Sequence, residues 1–459
     1  MHNRLLNGGA WALAGRAASI AVNALTLPAL SRLFSSEPAE FGLYLLAAGM
    51  SLLFAHAGAA GLNLSVVRHA AVHLGSNRPA AAAAVIRTSL WLAAAGGSVA
   101  GALFCLGVST LPLELCGDFR HHHVAGIIGL WIVLQAMGLV LADAFRAFHD
   151  IRLAVAFGGL ASNALFAAIL MVSLLVNPHP SLQEVLSMAA IGWGASFAIG
   201  AMCLVRRLRR LTAAAADEPA CAASSTELLR ESLPLMVSSV IMLATMQIDL
   251  WVVGWYYAAD ESRVALYGAA ARLVGLVGTA LVVVNAVIPP MVAELHAHRR
   301  MRPLEQLLRG TATLAGVPAS LALLAMIFAA GPMLGTVYGP YYRDAAPILM
   351  ILSCGYLVFT AGGSAGITLM MTGHAKASMA INVVSVVLLL IGTVVAVPHG
   401  TIAVACVMSF TMAAQKIAML AWVRWNLGIW TQLYFPPTWS QLRQTFAHPP
   451  ANTVVESAT

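Results

Sequence analysis

Runs of about 20 predominantly apolar residues, roughly twelve of them, constrain this chain more than any other feature. A helix needs about 20 such residues to cross a hydrocarbon core of about 30 Å. Only helices and closed barrels satisfy their own backbone polar groups there. The first half holds runs at about 10–34, 41–66, 80–112, 124–147, 151–176 and 185–205. The second holds runs at about 234–256, 263–292, 310–331, 345–371, 378–397 and 401–423. The third is long, and its far end near Pro112 reads as a loop. Only 9% of the residues are charged and 60% are hydrophobic, whereas a soluble surface usually draws on about 25% charged residues. The stretch after Arg4 runs on to Phe34, too long for the apolar region of a cleavable signal peptide. It reads as the first span.

Positive residues set the orientation, because cytoplasmic connectors are enriched in Arg and Lys. With the N-terminus inside, the cytoplasmic connectors hold Arg68 and Arg78, then Arg146 and Arg152, then Arg206, Arg207, Arg209, Arg210 and Arg230. Arg299, Arg300, Arg302, Arg309 and Lys376 follow. The opposite side holds Arg120, Arg263 and Arg343, with Arg32 at a helix end. Both termini are thus expected in the cytoplasm. The longest internal connector, about 206–233, divides the runs six and six. The expected domains are an N-terminal bundle 1–210, a cytoplasmic linker 211–233, a C-terminal bundle 234–425 and a cytoplasmic tail 426–459.

A faint internal repeat supports that division. Phe34-Ser-Ser-Glu-Pro-Ala-Glu-Phe-Gly-Leu-Tyr44 follows the first span, and Tyr257-Ala-Ala-Asp-Glu-Ser-Arg-Val-Ala-Leu-Tyr267 follows the seventh. Each is a short acidic turn with an aromatic near the start of the next helix. Two halves of the same orientation imply a pseudo-twofold axis along the membrane normal. Pro234 suits the first turn of the seventh span, and Pro289-Pro290 marks a kink or end of the eighth. Gly58, Gly61 and the pair Gly96-Gly97 fit close helix packing. In the tail, Trp425, Trp430, Tyr434, Phe435 and Trp439 read as an aromatic belt at the membrane surface.

Charges inside spans are costly, about 2.5–3.5 kcal/mol on insertion scales, and so are functional suspects. Arg16 and Asn23, seven positions apart in the first span, share nearly one face. Asp249 and Arg272 lie about seven and about nine residues from the outer ends of their helices, roughly 10 and 14 Å deep at the helical rise. They are read either as a structural ion pair or as part of a cavity in which Arg272 faces an anionic substrate. Asn285 lies below Arg272, and Glu294 closes the eighth span. Arg87, Asp143 and Arg146 are inner-face charges. The two arginines can snorkel to headgroups, and Asp143 can pair with Arg146. His121, His122 and His123 lack metal-site spacing, and the six cysteines include no C-x-x-C pair. No metal or cofactor is expected, nor is a nucleic-acid partner. No P-loop, H-E-x-x-H or G-x-S-x-G motif is picked out, and the chain reads as a non-enzyme driven by an ion gradient or downhill flow.

Three pieces, in this order, carry a resemblance: Pro28 to Tyr44, then Gln247-Ile-Asp-Leu-Trp-Val-Val-Gly254 with Leu266-Tyr-Gly-Ala-Ala-Ala-Arg-Leu273, then Leu334-Gly-Thr-Val-Tyr-Gly-Pro-Tyr-Tyr342. From about Arg4 to Trp425 the chain resembles the polysaccharide transporters, or Wzx-type flippases, of the multidrug/oligosaccharidyl-lipid/polysaccharide exporter (MOP) superfamily. The resemblance implies two six-helix bundles around a central cavity, alternating access, and an oligosaccharide on undecaprenyl diphosphate as substrate. It puts Asp249, Tyr267 and Arg272 at matching places and adds weight to Arg16 and Arg272. It also implies a bacterial inner membrane, with a polysaccharide polymerase and chain-length proteins as partners. H+ or Na+ antiport is common in the superfamily, and Asp249 is the least poor coupling candidate. Competing readings are a multidrug or cation antiporter of the same fold, a lipid II flippase (disfavoured for want of two further helices) and a non-transporting scaffold of a glycan assembly complex.

Overall fold

The computed structural model describes residues 2–434 apart from 77, 111–121, 149, 178–179, 214–224, 258–259 and 286–287. It is helical throughout, with no strand among the described residues. In the first half run α1 (His2–Leu33), α2 (Pro38–Gly58), α3 (Leu62–Gly75), α4 (Pro79–Thr110) and α5 (His122–Ala147). After these come α6 (Ile151–Val155), a π turn (Ala156–Leu160), α7 (Ala161–Val176) and α8 (Leu182–Ala213). The second half begins with α9 (Ser225–Thr245), α10 (Ile248–Tyr256), α11 (Glu261–Asn285) and α12 (Ile288–Ala297). It continues with α13 (Met301–Phe328), α14 (Ala330–Val337), α15 (Ala346–Ala361), α16 (Ala365–Met371), α17 (Ala375–Ala396) and α18 (Thr401–Leu427).

Among the described residues nine helical segments are long and apolar enough to cross a membrane, or ten if the bent α9 is one span. Among the described residues every apolar run is mostly helical, but several are interrupted. The run 41–66 breaks at Ala59–Gly61, where Gly61 takes φ +72° and separates α2 from α3. Pro234 is not at a first turn. The helix starts upstream at Ser225, and α9 bends by 42° between Leu233 and Leu235. Proline inside a helix removes one backbone hydrogen bond and clashes with the preceding turn, so it bends the helix there. α8 extends to Ala213. Near Pro289-Pro290 α11 has ended at Asn285, and both prolines fall in the first turn of α12, where missing N–H groups cost nothing.

Two compact units emerge from the packing: residues 1–269 with 335–342, and residues 270–334 with 343–459. In the first, α4, α5 and α2 pack tightly on small residues. A Cβ at Gly58 would lie 2.8 Å from Gly97 Cα, so these backbones touch. Alanines dominate the core beside them, including Ala55, Ala59, Ala93, Ala136 and Ala144, with Phe145 and Phe157 as bulky fillers. Lipid offers no hydrophobic drive between helices, so close backbone approach and dispersion supply the adhesion. α9 joins this unit through α3: the Ser232 hydroxyl hydrogen-bonds Ser65 Oγ at 2.8 Å, and His69 Nε2 lies 3.0 Å from Glu231. The segment 335–342 belongs here too. Ser31 donates to Tyr338 O at 3.0 Å, and Phe41 sits edge-on to Tyr342. The second unit has its own core of Val292, Leu304, Leu308, Ala365, Leu369, Met419, Val423 and Ile429.

Gly58→Ala should lower the melting temperature of the purified protein, because overpacking at a closed contact costs about 1–3 kcal/mol. Gly126→Ala is the control, since nothing lies within 4 Å of a Cβ there. Equal melting of the two variants would contradict the close α2–α4 contact.

Candidate functional site

Polar side chains in the spans are few, and most have a named partner. Hydroxyls largely bond back to their own helix, as Thr26 does to Val22 O at 2.7 Å and Thr393 to Leu389 O at 2.8 Å. Such back-bonding satisfies a polar group where no water is available.

The most concentrated polar group in the first unit is built by α10 and α11. Asp249 is 4% exposed in the first turn of α10. Tyr267, fully buried on α11, donates its hydroxyl to Asp249 Oδ2 at 2.7 Å. Gln247 and Trp251 flank the aspartate. A Cβ at Gly49 of α2 would come within 3.1 Å of Trp251 Nε1 and 3.3 Å of Gln247 Oε1. α10 and α2 therefore meet at this level through a glycine. A second buried polar contact joins α5 to α2, where Gln135 Nε2 donates to Ser51 Oγ at 3.0 Å.

The remaining carboxylates sit near helix ends. Asp143 is buried and accepts from Arg146, which is itself exposed. Asn63 of α3 hydrogen-bonds the same aspartate. Asp150 caps α6 and accepts from Arg207 at 2.7 Å, with Arg207 stacked over Phe148. Arg87 is exposed on α4, and Glu294 is exposed on α12. Asn23 is half-buried on α1. In the second unit Arg272 is half-buried on α11. The side chains of Arg16 and Asn285 lie outside the described residues, as do His121, the His122 side chain, Cys116 and Cys221. His123 is exposed. Among the described residues no three metal-ligating side chains converge.

Lys416 was missed by the sequence reading. One of only two lysines in the chain, it is 5% exposed in α18. Its ammonium donates to Gly363 O at 3.0 Å and lies 4.1 Å from the centre of the Phe359 ring. A readable signal existed: no Asp or Glu occurs between Asp344 and Glu456, so this lysine has no carboxylate nearby in sequence to pair with. The chain reverses at Gly428 and packs back on the unit, burying Ile429 and Thr431. Tyr434 reaches Arg309, whose guanidinium lies 4.1 Å from its ring centre. Burial pushes the Tyr434 phenol above its ordinary pKa. Trp425 is exposed, while Phe435 and Trp439 lie outside the described residues. The run Gly362-Gly363-Ser364-Ala365-Gly366 spells G-x-S-x-G, which the sequence reading overlooked. It joins two helices inside a span rather than a strand to a helix, so it lacks the setting of a nucleophile elbow. Between α17 and α18 lies an apolar groove of about 680 Å³, lined by Val384, Leu388, Val407 and Phe410.

This all-helical architecture is similar in fold to solved transporters of the MOP superfamily. Over 91% of this chain and 94% of the other, it is similar at 15% identity and TM-score 0.64 to an inward-facing multidrug resistance MATE family transporter of that superfamily. A MOP superfamily transporter from Pyrococcus furiosus, described as having a binding pocket of reverse polarity, matches at 15% identity and TM-score 0.62, covering 92% and 95% of the two chains. An outward-facing MATE family structure matches at 15% identity and TM-score 0.61, also over 92% and 95%. No curated protein sequence matches. Residues 5–296 match the family described as polysaccharide biosynthesis protein, and the chain belongs to that family.

Tyr267→Phe removes the hydroxyl that Asp249 accepts from. Loss of a hydrogen bond to a buried charged group should destabilise the protein by about 1.5–3 kcal/mol, read as a lower melting temperature. An unchanged melt would show that the Tyr267–Asp249 bond carries no weight.

Proposed function

We propose that this protein is a flippase that moves undecaprenyl-diphosphate-linked oligosaccharide across the bacterial inner membrane by alternating access, with both termini in the cytoplasm. The reading rests on the family, which is one of polysaccharide biosynthesis, and on the transporter fold. The substrate class rests on one observation about charge. The two aspartates within the spans, Asp143 and Asp249, are buried and hydrogen-bonded, and the chain from Asp344 to Glu456 has no carboxylate between those ends. A cationic cargo would find little to bind. A diphosphate suits arginine, whose planar fork matches phosphate oxygens two at a time. In a site with an effective dielectric near 20, a unit charge pair 4 Å apart attracts by about 4 kcal/mol, against about 1 kcal/mol in water.

In this reading Arg16 and Arg272 hold the diphosphate, with Asn23 and Asn285 offering uncharged hydrogen bonds. Asp249, tied to Tyr267, serves to position its surroundings.

Complementation of a deletion strain tests the proposal. Arg16→Ala and Arg272→Ala should each abolish surface polysaccharide while membrane protein levels hold. Normal polysaccharide in both strains would remove the phosphate-binding role. Resistance to cationic dyes, with polysaccharide unaffected by the deletion, would instead favour a cation antiporter.

A further inference from the structure

α15 and α16 are two pieces of one apolar segment, Pro340–Met371. Between them Gly362, Gly363 and Ser364 leave the helix, with Gly363 at φ +61°. A break at membrane depth frees backbone carbonyls that must be satisfied from elsewhere in the protein. Three consecutive carbonyls here find three separate donors. Leu433 N–H donates to Ala361 O at 3.1 Å. The Thr431 hydroxyl donates to Gly362 O at 3.2 Å. Lys416 donates to Gly363 O at 3.0 Å.

The lysine differs from the other two donors. It brings a full charge about fifteen residues into α18, roughly 22 Å along the helix. No carboxylate lies on α15, α16, α17 or α18 to meet it. What it meets is a carbonyl oxygen and the face of Phe359. The surrounding chain is shaped for it. A Cβ at Gly362 would lie 2.4 Å from Lys416 Cγ, so only glycine lets the lysine stem pass. A Cβ at Gly363 would lie 2.3 Å from Thr431 O, which closes the far side.

Carbonyl oxygens at an interrupted helix coordinate small cations in membrane transporters, and an aromatic face attracts a cation as well. We propose that the α15–α16 break is a monovalent-cation site whose occupant is built into the chain, the Lys416 ammonium. Positive charge is what the site requires; a neutral donor to Gly363 does not suffice. The break then holds its shape without drawing an inorganic ion. This inference stands independently of the transported substrate.

Melting of the purified full-length protein in detergent tests it. Lys416→Arg keeps the charge and should melt close to the wild type. Lys416→Gln keeps a hydrogen-bond donor without charge and should melt several degrees lower. Lys416→Ala vacates the site, and methylammonium chloride should restore much of its lost stability where equimolar choline chloride does not. Adding Phe359→Leu should weaken that restoration. If Lys416→Gln melts with Lys416→Arg, or if methylammonium does no more than choline for Lys416→Ala, the cation site is overturned. Should Lys416→Ala not fold, the Gln and Arg variants decide, by melting or by membrane-inserted yield.

Discussion

A backbone carbonyl released inside a bilayer has no water to turn to, and each interruption of a span must bring its own donors. This protein interrupts its spans repeatedly. At Ala59–Gly61 the chain closes short turns of its own, Ala60 N to Ala57 O and Leu62 N to Ala59 O. At the π turn, where Gly158 and Gly159 leave helical geometry, the Ser162 hydroxyl returns to Gly159 O at 3.0 Å. Between α15 and α16 local turns do not suffice, and donors come from α18 and from the reversed chain beyond it. The last case binds three distant stretches into one joint. It explains why residues 429–434 pack back on the unit, with Ile429 and Thr431 buried.

The same economy governs charge. Asp143 has Arg146 and Asn63, and Asp249 has Tyr267. Among the described residues the buried charged side chains are these two aspartates, both engaged in internal contacts, and Lys416. The fold by itself does not choose between cargoes, since solved structures similar to this one include a multidrug resistance transporter.

Much of this was legible in the sequence. Long apolar runs fixed the helices because a buried span needs no periodicity to be recognised, only length. Gly58 and Gly96-Gly97 read as close contacts, and their missing side chains are where α2 and α4 touch. Other features escaped for physical reasons. Proline looks alike in a first turn and in mid-helix, so only the helix upstream of Pro234 reveals the bend. The break at Gly61 lies inside an unbroken apolar run. The packing of residues 429–434 depends on partners far away in sequence, Gly362 O for the Thr431 hydroxyl and Thr313 Oγ1 for Tyr434 N–H. At the candidate site, Asp249 stood out as an intramembrane charge, but its partner Tyr267 emerges only when α10 and α11 pack. Lys416 went unremarked in the sequence; its partner is a backbone atom, which no side-chain pattern announces.

Translocation itself is the most direct test of the account. The purified protein, reconstituted into vesicles carrying undecaprenyl-diphosphate-linked oligosaccharide in the inner leaflet, should bring the glycan within reach of an externally added lectin or glycosidase faster than protein-free vesicles do. Glycan exposure at the protein-free rate, with the protein folded and inserted, would contradict it.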